Sequence, residues 1–472
     1  MLRPDSREMK FHPLGPGMKE PGGSANFARC LFRIAFSRSA IGLARRTLSM
    51  AAEADALVIG AGPAGASTAI LLAQAGWRVL LVEQQIYPRQ KVCGECLTAG
   101  SLALLDDLGV GRAVLDKAGP ELQSVGWMSG SSTIVADFPA CTGGPYPYGR
   151  ALGRDQLDAL LLERARALGV EIMQPAKVRA VRRAADRFDC EIETADSRSS
   201  PMAVPARTSL GIRASIVVDG HGSWETAPAH SKDGPGLRAR AVRPGSDLFG
   251  FKTSFYRSTL PRGLLPVLSF AGGYGGMVVA EDERLTLACC IRRDTLRECR
   301  ARNPGAPAGV AIEQYLRDSC PAVREVLDHA QHGGFWLSIG PLRPGIRIGR
   351  TREPFLVGNA AGEAHPLIGE GINMALQSAF LLTSELLKQP VAAIDARRFR
   401  EIHRDYGAAW RDAFANRMRL AAAYAHLAMR PALCGPATAV LRRWPRVLAE
   451  AARWAGKARS PMLPGALCAG AP

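Results

Sequence analysis

The sequence has no apolar run approaching the roughly 18 residues a helix needs to cross a bilayer, which excludes a plan built on helical membrane spans. It has one CxxC pair, Cys93–Cys96, and no second pair to complete a zinc site. The eleven cysteines show no repeated spacing, so a disulfide framework is not indicated and no metal is expected. Free thiols in a reducing compartment, hence a cytoplasmic protein, are the expectation. Basic charge is scarce where a nucleic-acid protein would need it. Of the formal charge of +17, residues 1–49 carry +6 and residues 391–472 carry +9, leaving +2 for the middle of the chain. A nucleic-acid binder puts its basic residues in the body of the fold, interleaved with aromatics, so no such partner is expected. There is also no second GxGxxG and no pair of tryptophans two places apart.

What is present is a chain of 472 residues, enough for two or three domains, with 47% hydrophobic and 22% charged residues. The segment "FARCLFRIAFSRSAIGLARRTLSM" is rich in Arg and Ser and free of acids. That composition suits a mitochondrial presequence, but "MAAEADALVIGAG" reads like a natural beginning and favours an extension upstream of a start at Met50. Both readings leave residues 1–49 outside the fold.

The strongest local signal is "DALVIGAGPAGASTAILLAQAGWRVLLVEQ". An apolar strand ends at Gly60, and Gly60, Gly62 and Gly65 form GxGxxG at the head of a helix that begins with Pro63 and Ala64. The first glycine allows the tight turn, the second the approach of a pyrophosphate, and the third close helix-on-strand packing. The helix N-terminus offers N–H groups and a positive dipole end to the phosphates. A second strand ends in Glu83, 23 positions after Gly60, where an acid holds a ribose hydroxyl. The loop by itself leaves NAD and FAD open.

Three further stretches follow in order: "PRQKVCGECL", "SIVVDGHGSWE" and "LVGNAAGEAHPLIGEGINMALQ". With the glycine loop, they make residues 54–390 resemble the FAD-dependent aromatic hydroxylases of the para-hydroxybenzoate hydroxylase type. The same stretches resemble that family's cousins, the geranylgeranyl reductases and flavin halogenases. The resemblance implies an α/β fold with an α+β substrate domain: a glutathione-reductase-like, FAD-binding Rossmann fold with an inserted antiparallel sheet and a C-terminal helical region. It implies FAD as cofactor, with NADH or NADPH as a transient co-substrate across the groove near Asp219. The Asp-Gly motif matches Asp219, Gly220 and Ser223. The last motif matches Gly358, Asn359, Pro366, Gly369, Gly371, Ile372 and Asn373. There a strand delivers a polar side chain to the ribityl hydroxyls, and a helix start faces the flavin's pyrimidine edge. Asn359 stands where the family usually has aspartate; its carbonyl oxygen can still accept a hydroxyl, so retained FAD binding is expected. The Arg-x-x-x-Asp match places Arg154 near the flavin and Asp158 behind it, the alternative being an exposed helix-start cation. The reductase and halogenase cousins place Lys91, Cys93 and Gly94 beside the ring.

Candidate catalytic residues are Cys93, His365 and Pro366, with His365 either a base or a supporting histidine. The missing Trp-x-Trp stretch argues against halogenation, and "LSFAGGYGG" lacks the aromatic–Trp–Phe-Pro motif of the reductases. The form "GNAAGEAHP" looks closest to flavoprotein monooxygenases that accompany type III polyketide synthases. That likeness implies an enzyme using O2 to hydroxylate a phenolic or lipid-like aromatic such as an alkylresorcinol. A polyprenyl-saturating reductase is the alternative, and a non-catalytic flavoprotein a lesser one. The expected division is an extension at 1–49, a first FAD-domain part at 50–235 including substrate-domain segments, and a substrate sheet at 236–339. A last FAD-domain part at 340–390 and a basic helical region at 391–472 complete it. "SFAGGYGG" is either pocket lining or a hairpin tip. The C-terminal helices, with Arg and Trp around apolar faces, suit either contact with an anionic membrane or a solvated cap.

Overall fold

Five strands run parallel in the first sheet, and their apolar stretches at 56–59, 79–82 and 216–218 are buried without polar alternation, as expected where both faces are covered. Ala52–Ile59 lies between Val79–Val82 and Arg207–Asp219, with Glu171–Met173 and Phe355–Leu356 at the two ends. The structure is a computed structural model and describes residues 52–184, 186–195, 207–222, 229–230, 245–349 and 353–454. The N-terminal extension and Ser223 lie outside the described residues. Beyond Arg207–Asp219 the sheet continues with the antiparallel hairpin Ala176–Ala184 and Arg187–Ala195.

Register sets where the chemistry goes. Ile59 pairs with both Val82 and Asp219, and Asp219 pairs with Leu356. The residues that follow these ends, Gly60, Glu83, Gly220 and Val357, therefore emerge side by side on the carboxyl edge, where open α/β sheets bind ligands. Helix Pro63–Gln74 packs against Arg154–Ala167 and Gly371–Leu386, with Ala66, Ala69, Ile70 and Leu72 fully buried.

A second sheet has the order Gln331–His332, Leu248–Tyr256, Leu285–Arg292, Gly273–Val279, Leu264–Phe270, Ser124–Ser129 and Ser132–Asp137. All its pairings are antiparallel except Leu264–Phe270 with Ser124–Ser129, and Leu337–Leu342 also joins Leu248–Tyr256. One face buries Phe251, Phe255, Leu285 and Leu287 together with Ile312 and Leu316 of the helix Ala308–Ser319. The segment "SFAGGYGG" forms a hairpin and the start of its second strand. Ala271 and Gly272 form the turn of a hairpin, while Tyr274 enters a strand and is buried.

The helix Ala396–Ala428 starts at Asp395, whose side chain caps it by accepting from Arg398 N–H. Its buried Tyr406 donates from its hydroxyl to Leu356 O at 2.7 Å, pinning the last parallel strand. Helices Pro431–Arg443 and Arg446–Trp454 follow, packing Leu441, Leu448 and Ala452 with Val125 and Ala136 of the second sheet and Phe138 just beyond its last strand. No helix among the described residues is long and apolar enough to cross a membrane.

Candidate functional site

The glycine loop closes as a turn that side chains would block. Gly60 sits at φ +87°, and a Cβ there would stand 2.8 Å from Gly220 O. At Gly65 a Cβ would be 1.9 Å from Gly60 O, so the helix can start this close to the strand only without a side chain. Gly62 is different: the nearest atom to its missing Cβ is Arg154 Nη2 at 3.7 Å. Pro63 opens the helix, where its missing N–H costs no bond. Glu83, 2% exposed, accepts Ala61 N–H and Gln85 N–H at 2.8 Å each, tying the loop to the end of the second strand. The Tyr87 hydroxyl also donates to Glu83 Oε2 at 3.3 Å, so of about four acceptor positions on the two oxygens roughly one is left for a ribose hydroxyl.

The other motifs converge on this turn. Asp219 is fully buried and accepts the backbone N–H of His221 at 3.1 Å, with the His221 Nδ1 at 2.6 Å. Lys91 Nζ lies 3.4 Å from where a Gly222 side chain would begin. Gly358, at φ +58°, approaches Ala64 so closely that an added Cβ would lie 2.8 Å from the Ala64 methyl. Its N–H donates to Ser378 Oγ at 2.8 Å. Asn359 is half-buried and its backbone carbonyl accepts from Arg347 Nη1 at 2.7 Å. Gly369 turns the chain at φ +58°, and Gly371 then starts the helix Gly371–Leu386. Glu370 and Asn373 are buried there, Asn373 Nδ2 donating to Glu370 Oε2 at 2.8 Å and Gln377 Nε2 to Asn373 Oδ1 at 3.1 Å. The Asn373 side chain thus braces the helix start, alongside buried Ile372, and the first N–H groups of the helix are what it offers a ligand.

These residues fit a flavin dinucleotide. Gly94 and Gly371 are exposed, and a Cβ on either would meet nothing within 4 Å, so the backbone at both motifs is open to a ligand.

Arg154 is not an exposed helix-start cation: it is 8% exposed and grips fully buried Asp158 through Nε and Nη2 at 2.8 and 2.7 Å. Burial works against its charge, and Asp158 more than restores it. Cys93 is half-buried, with its Sγ accepting Glu95 N–H at 3.3 Å, and neither Cys93 nor Cys96 is in a disulfide. A buried carboxylate absent from the sequence-based candidates lies beside them. Glu95, with no exposed surface and φ +58°, pairs with Lys252 and with Arg284 Nη2 at 3.1 Å, and accepts Arg154 N–H at 3.3 Å. Burial raises its pKa, but Lys252 and Arg284 outweigh that and hold the carboxyl below its ordinary range. Glu281 joins them, pairing with Arg284 and accepting Gly153 N–H at 2.8 Å. A lysine inside the apolar run "LFGFKTSFY" was the available signal for this cluster, since a strand buries such a charge only against a partner. The partner itself, 157 positions away, carried no local signal.

Opposite the helix start, the Tyr274 hydroxyl lies 3.2 Å from His365 Nδ1, and His426 faces the His365 ring at 6.1 Å between centroids. Burial, aided by His426, pushes the His365 pKa down to about 4. Burial pushes the Tyr274 hydroxyl well up. Both groups are neutral at physiological pH. Pro366 is exposed at the start of a single helical turn, Pro366–Ile368. No group of His, Cys, Asp and Glu side chains that could hold a metal occurs among the described residues.

Residues 53–201 match the family described as an FAD binding domain. Menaquinone reductase of Mycobacterium tuberculosis is 32% identical over 174 residues, 37% of this chain and 39% of that protein. Tryptophan 2-halogenase of Chondromyces crocatus is 25% identical over 344 residues, 70% of this chain and 60% of that protein. The chain thus spans about two fifths and three fifths of the length of these relatives. Among solved structures, p-nitrophenol 4-monooxygenase of Pseudomonas putida superposes with a TM-score of 0.62 at 19% identity, covering 86% of this chain and 98% of that one. Residues 53–201 therefore carry an FAD-binding domain, and the proteins this chain resembles include a reductase and a halogenase in sequence and a monooxygenase in fold.

Proposed function

We propose that this chain is an FAD-dependent oxidoreductase that draws hydride from NADH or NADPH and uses O2 to hydroxylate an electron-rich, phenolic or lipid-like aromatic. The observation that carries the reading is the convergence of three distant motifs on one sheet edge, where Gly60 abuts Gly220 and Ala64 abuts Gly358. Bound FAD supplies hydride acceptance and oxygen activation. The protein's part is positioning and electrostatics. With FAD bound, the helix starting at Pro63 and the buried Arg154 would hold the pyrophosphate, Glu83 the adenosine ribose, and Asn359 the ribityl chain. The N-terminus of Gly371–Leu386 places a positive dipole end where negative charge develops on reduction. His365, held neutral, serves as a hydrogen-bonding group that orients a substrate hydroxyl together with Tyr274. A ring pushed down to about 4 is a poor store for a proton at neutral pH.

A second reading, saturation of a polyprenyl double bond, is favoured by Cys93 beside Arg154 and by the likeness to menaquinone reductase. An FAD-loaded preparation supplied with NADPH, or with NADH, separates the two. With a resorcinol lipid, the first reading expects oxygen uptake equal to product and a labelled oxygen atom from O2 in the ring. Saturation of a polyprenyl chain under strict anaerobiosis, with no hydroxylated product in air, overturns it.

A further inference from the structure

Exposed large apolar side chains are concentrated at one end of the chain. Leu427, Leu433, Val440, Trp444, Val447 and Trp454 are 42, 38, 45, 56, 44 and 59% exposed, and only five others exist among the described residues. The opposite face of the same two helices is accounted for. Thr438 Oγ1 accepts from Trp127 Nε1 at 3.1 Å, and Leu448 is buried against Val125 and Phe138. Leu433 and Val440, and again Val447 and Trp454, stand seven residues apart, so each pair shares one side of its helix. Four exposed arginines, Arg430, Arg443, Arg446 and Arg453, accompany this apolar face, while Arg442 Nη2 donates to Ser132 Oγ of the second sheet at 2.7 Å. The one acid on the two helices, Glu450, lies on the side of Val447 and Trp454 and is paired with Arg453 at 3.1 Å. A guanidinium from Arg443 lies 5.6 Å from the centre of the Trp444 ring.

We propose that the outer face of helices Pro431–Arg443 and Arg446–Trp454 docks on the surface of an anionic lipid bilayer. Each element of the face has a physical role there. Tryptophan bodies sit at the headgroup level, aliphatic side chains reach the acyl boundary, and an arginine rim meets lipid phosphates. A protein partner would need the acids that complement this rim, and a second copy of the same face would oppose arginine to arginine, so charge selects the bilayer. The face begins beside the candidate site. Leu427 and exposed His426 end the long helix, and the His426 ring lies 6.1 Å from His365. A lipid-like substrate would then pass from bilayer to site without crossing water. That last step rests on the proposed function, whereas the docking itself does not.

Sedimentation with vesicles tests it, because binding is read without turnover. The full FAD-loaded chain is mixed with phosphatidylglycerol vesicles and with phosphatidylcholine vesicles at low and at raised salt. The expected result is binding to the anionic vesicles at least roughly tenfold stronger than to the neutral ones, weakened by salt. Trp444→Ser with Trp454→Ser, and separately Arg443→Gln with Arg446→Gln, should each weaken it by a similar factor. All of these side chains are exposed, so unchanged circular dichroism and melting are expected. Equal affinity for both lipids, or no binding to either, overturns the proposal. So does a concentration-dependent dimer that the tryptophan variant abolishes while vesicle binding stays absent.

Discussion

At the scale of the residue, the glycines were legible because each answers a steric demand. Gly65→Ala puts a methyl 1.9 Å from Gly60 O, a clash with backbone that cannot swing aside. The expected cost is about 2–3 kcal/mol in denaturant unfolding, with loss of FAD retention. Gly76→Ala, at φ +82° but with nothing within 4 Å, should cost only about 1 kcal/mol and leave FAD in place. Asn359 was the residue that departed from the family pattern. Its amide keeps an acceptor, so FAD titration of the native chain and of Asn359→Asp should give affinities within about tenfold. Glu95 was not legible, since a buried carboxylate is defined by partners and these come from strands far along the chain. Replacing it by Gln leaves Lys252 buried without its counter-charge. Glu95→Gln should cost about 3–5 kcal/mol, and Lys252→Met added to it should recover part of that loss, as an equilibrium-unfolding cycle will read. The His365 shift sets a pH dependence with a definite sign. Its folded pKa of about 4 lies below the ordinary 6.5, so the unfolded chain binds the proton first as pH falls. Stability is full above about 6.5 and is lost on descending to about 4. His365→Gln should flatten that part of the profile, leaving the share of His403, which burial also lowers.

At the scale of the element, strand–turn–helix segments were readable and their pairing was not. The apolar runs at 56–59 and 79–82 predict parallel strands, but nothing local says that Arg207–Asp219 lies beside the first of them. That register is what carries Asp219 to the loop. Likewise the sequence marks Phe355–Leu356 as a strand, while its anchor is Tyr406 of the long helix, 50 positions on. Tyr406→Phe removes the hydroxyl's bond to Leu356 O in a buried setting. It should cost about 1 kcal/mol and weaken FAD retention, because Gly358 follows this strand. The C-terminal helices show the same split. Their amphipathic pattern is visible in the letters, but which side faces the second sheet is decided by Thr438, Leu441 and Leu448 meeting strands from residues 124–138.

At the scale of the whole molecule, one sheet edge collects the ends of four strands, and a buried ion cluster fastens the second sheet to the loop that carries Cys93. Glu95 and Arg154 come from the loop and the helix start, Lys252 and Arg284 from the second sheet. Tyr274 and His365, from the second sheet and the turn before Gly371–Leu386, face each other. The candidate site is therefore composed between elements whose sequence separations run to about the length of a domain, which is why single motifs announced the cofactor and not the substrate. The most direct measurement is the absorption spectrum of the purified chain after incubation with FAD and removal of the unbound cofactor, followed anaerobically on adding NADPH or NADH. The account predicts one FAD per chain, bleached by at least one of the two donors and restored by air, with no retained FAD in Gly65→Ala. A native chain that stays colourless after loading, or holds FAD that neither donor reduces, would contradict it.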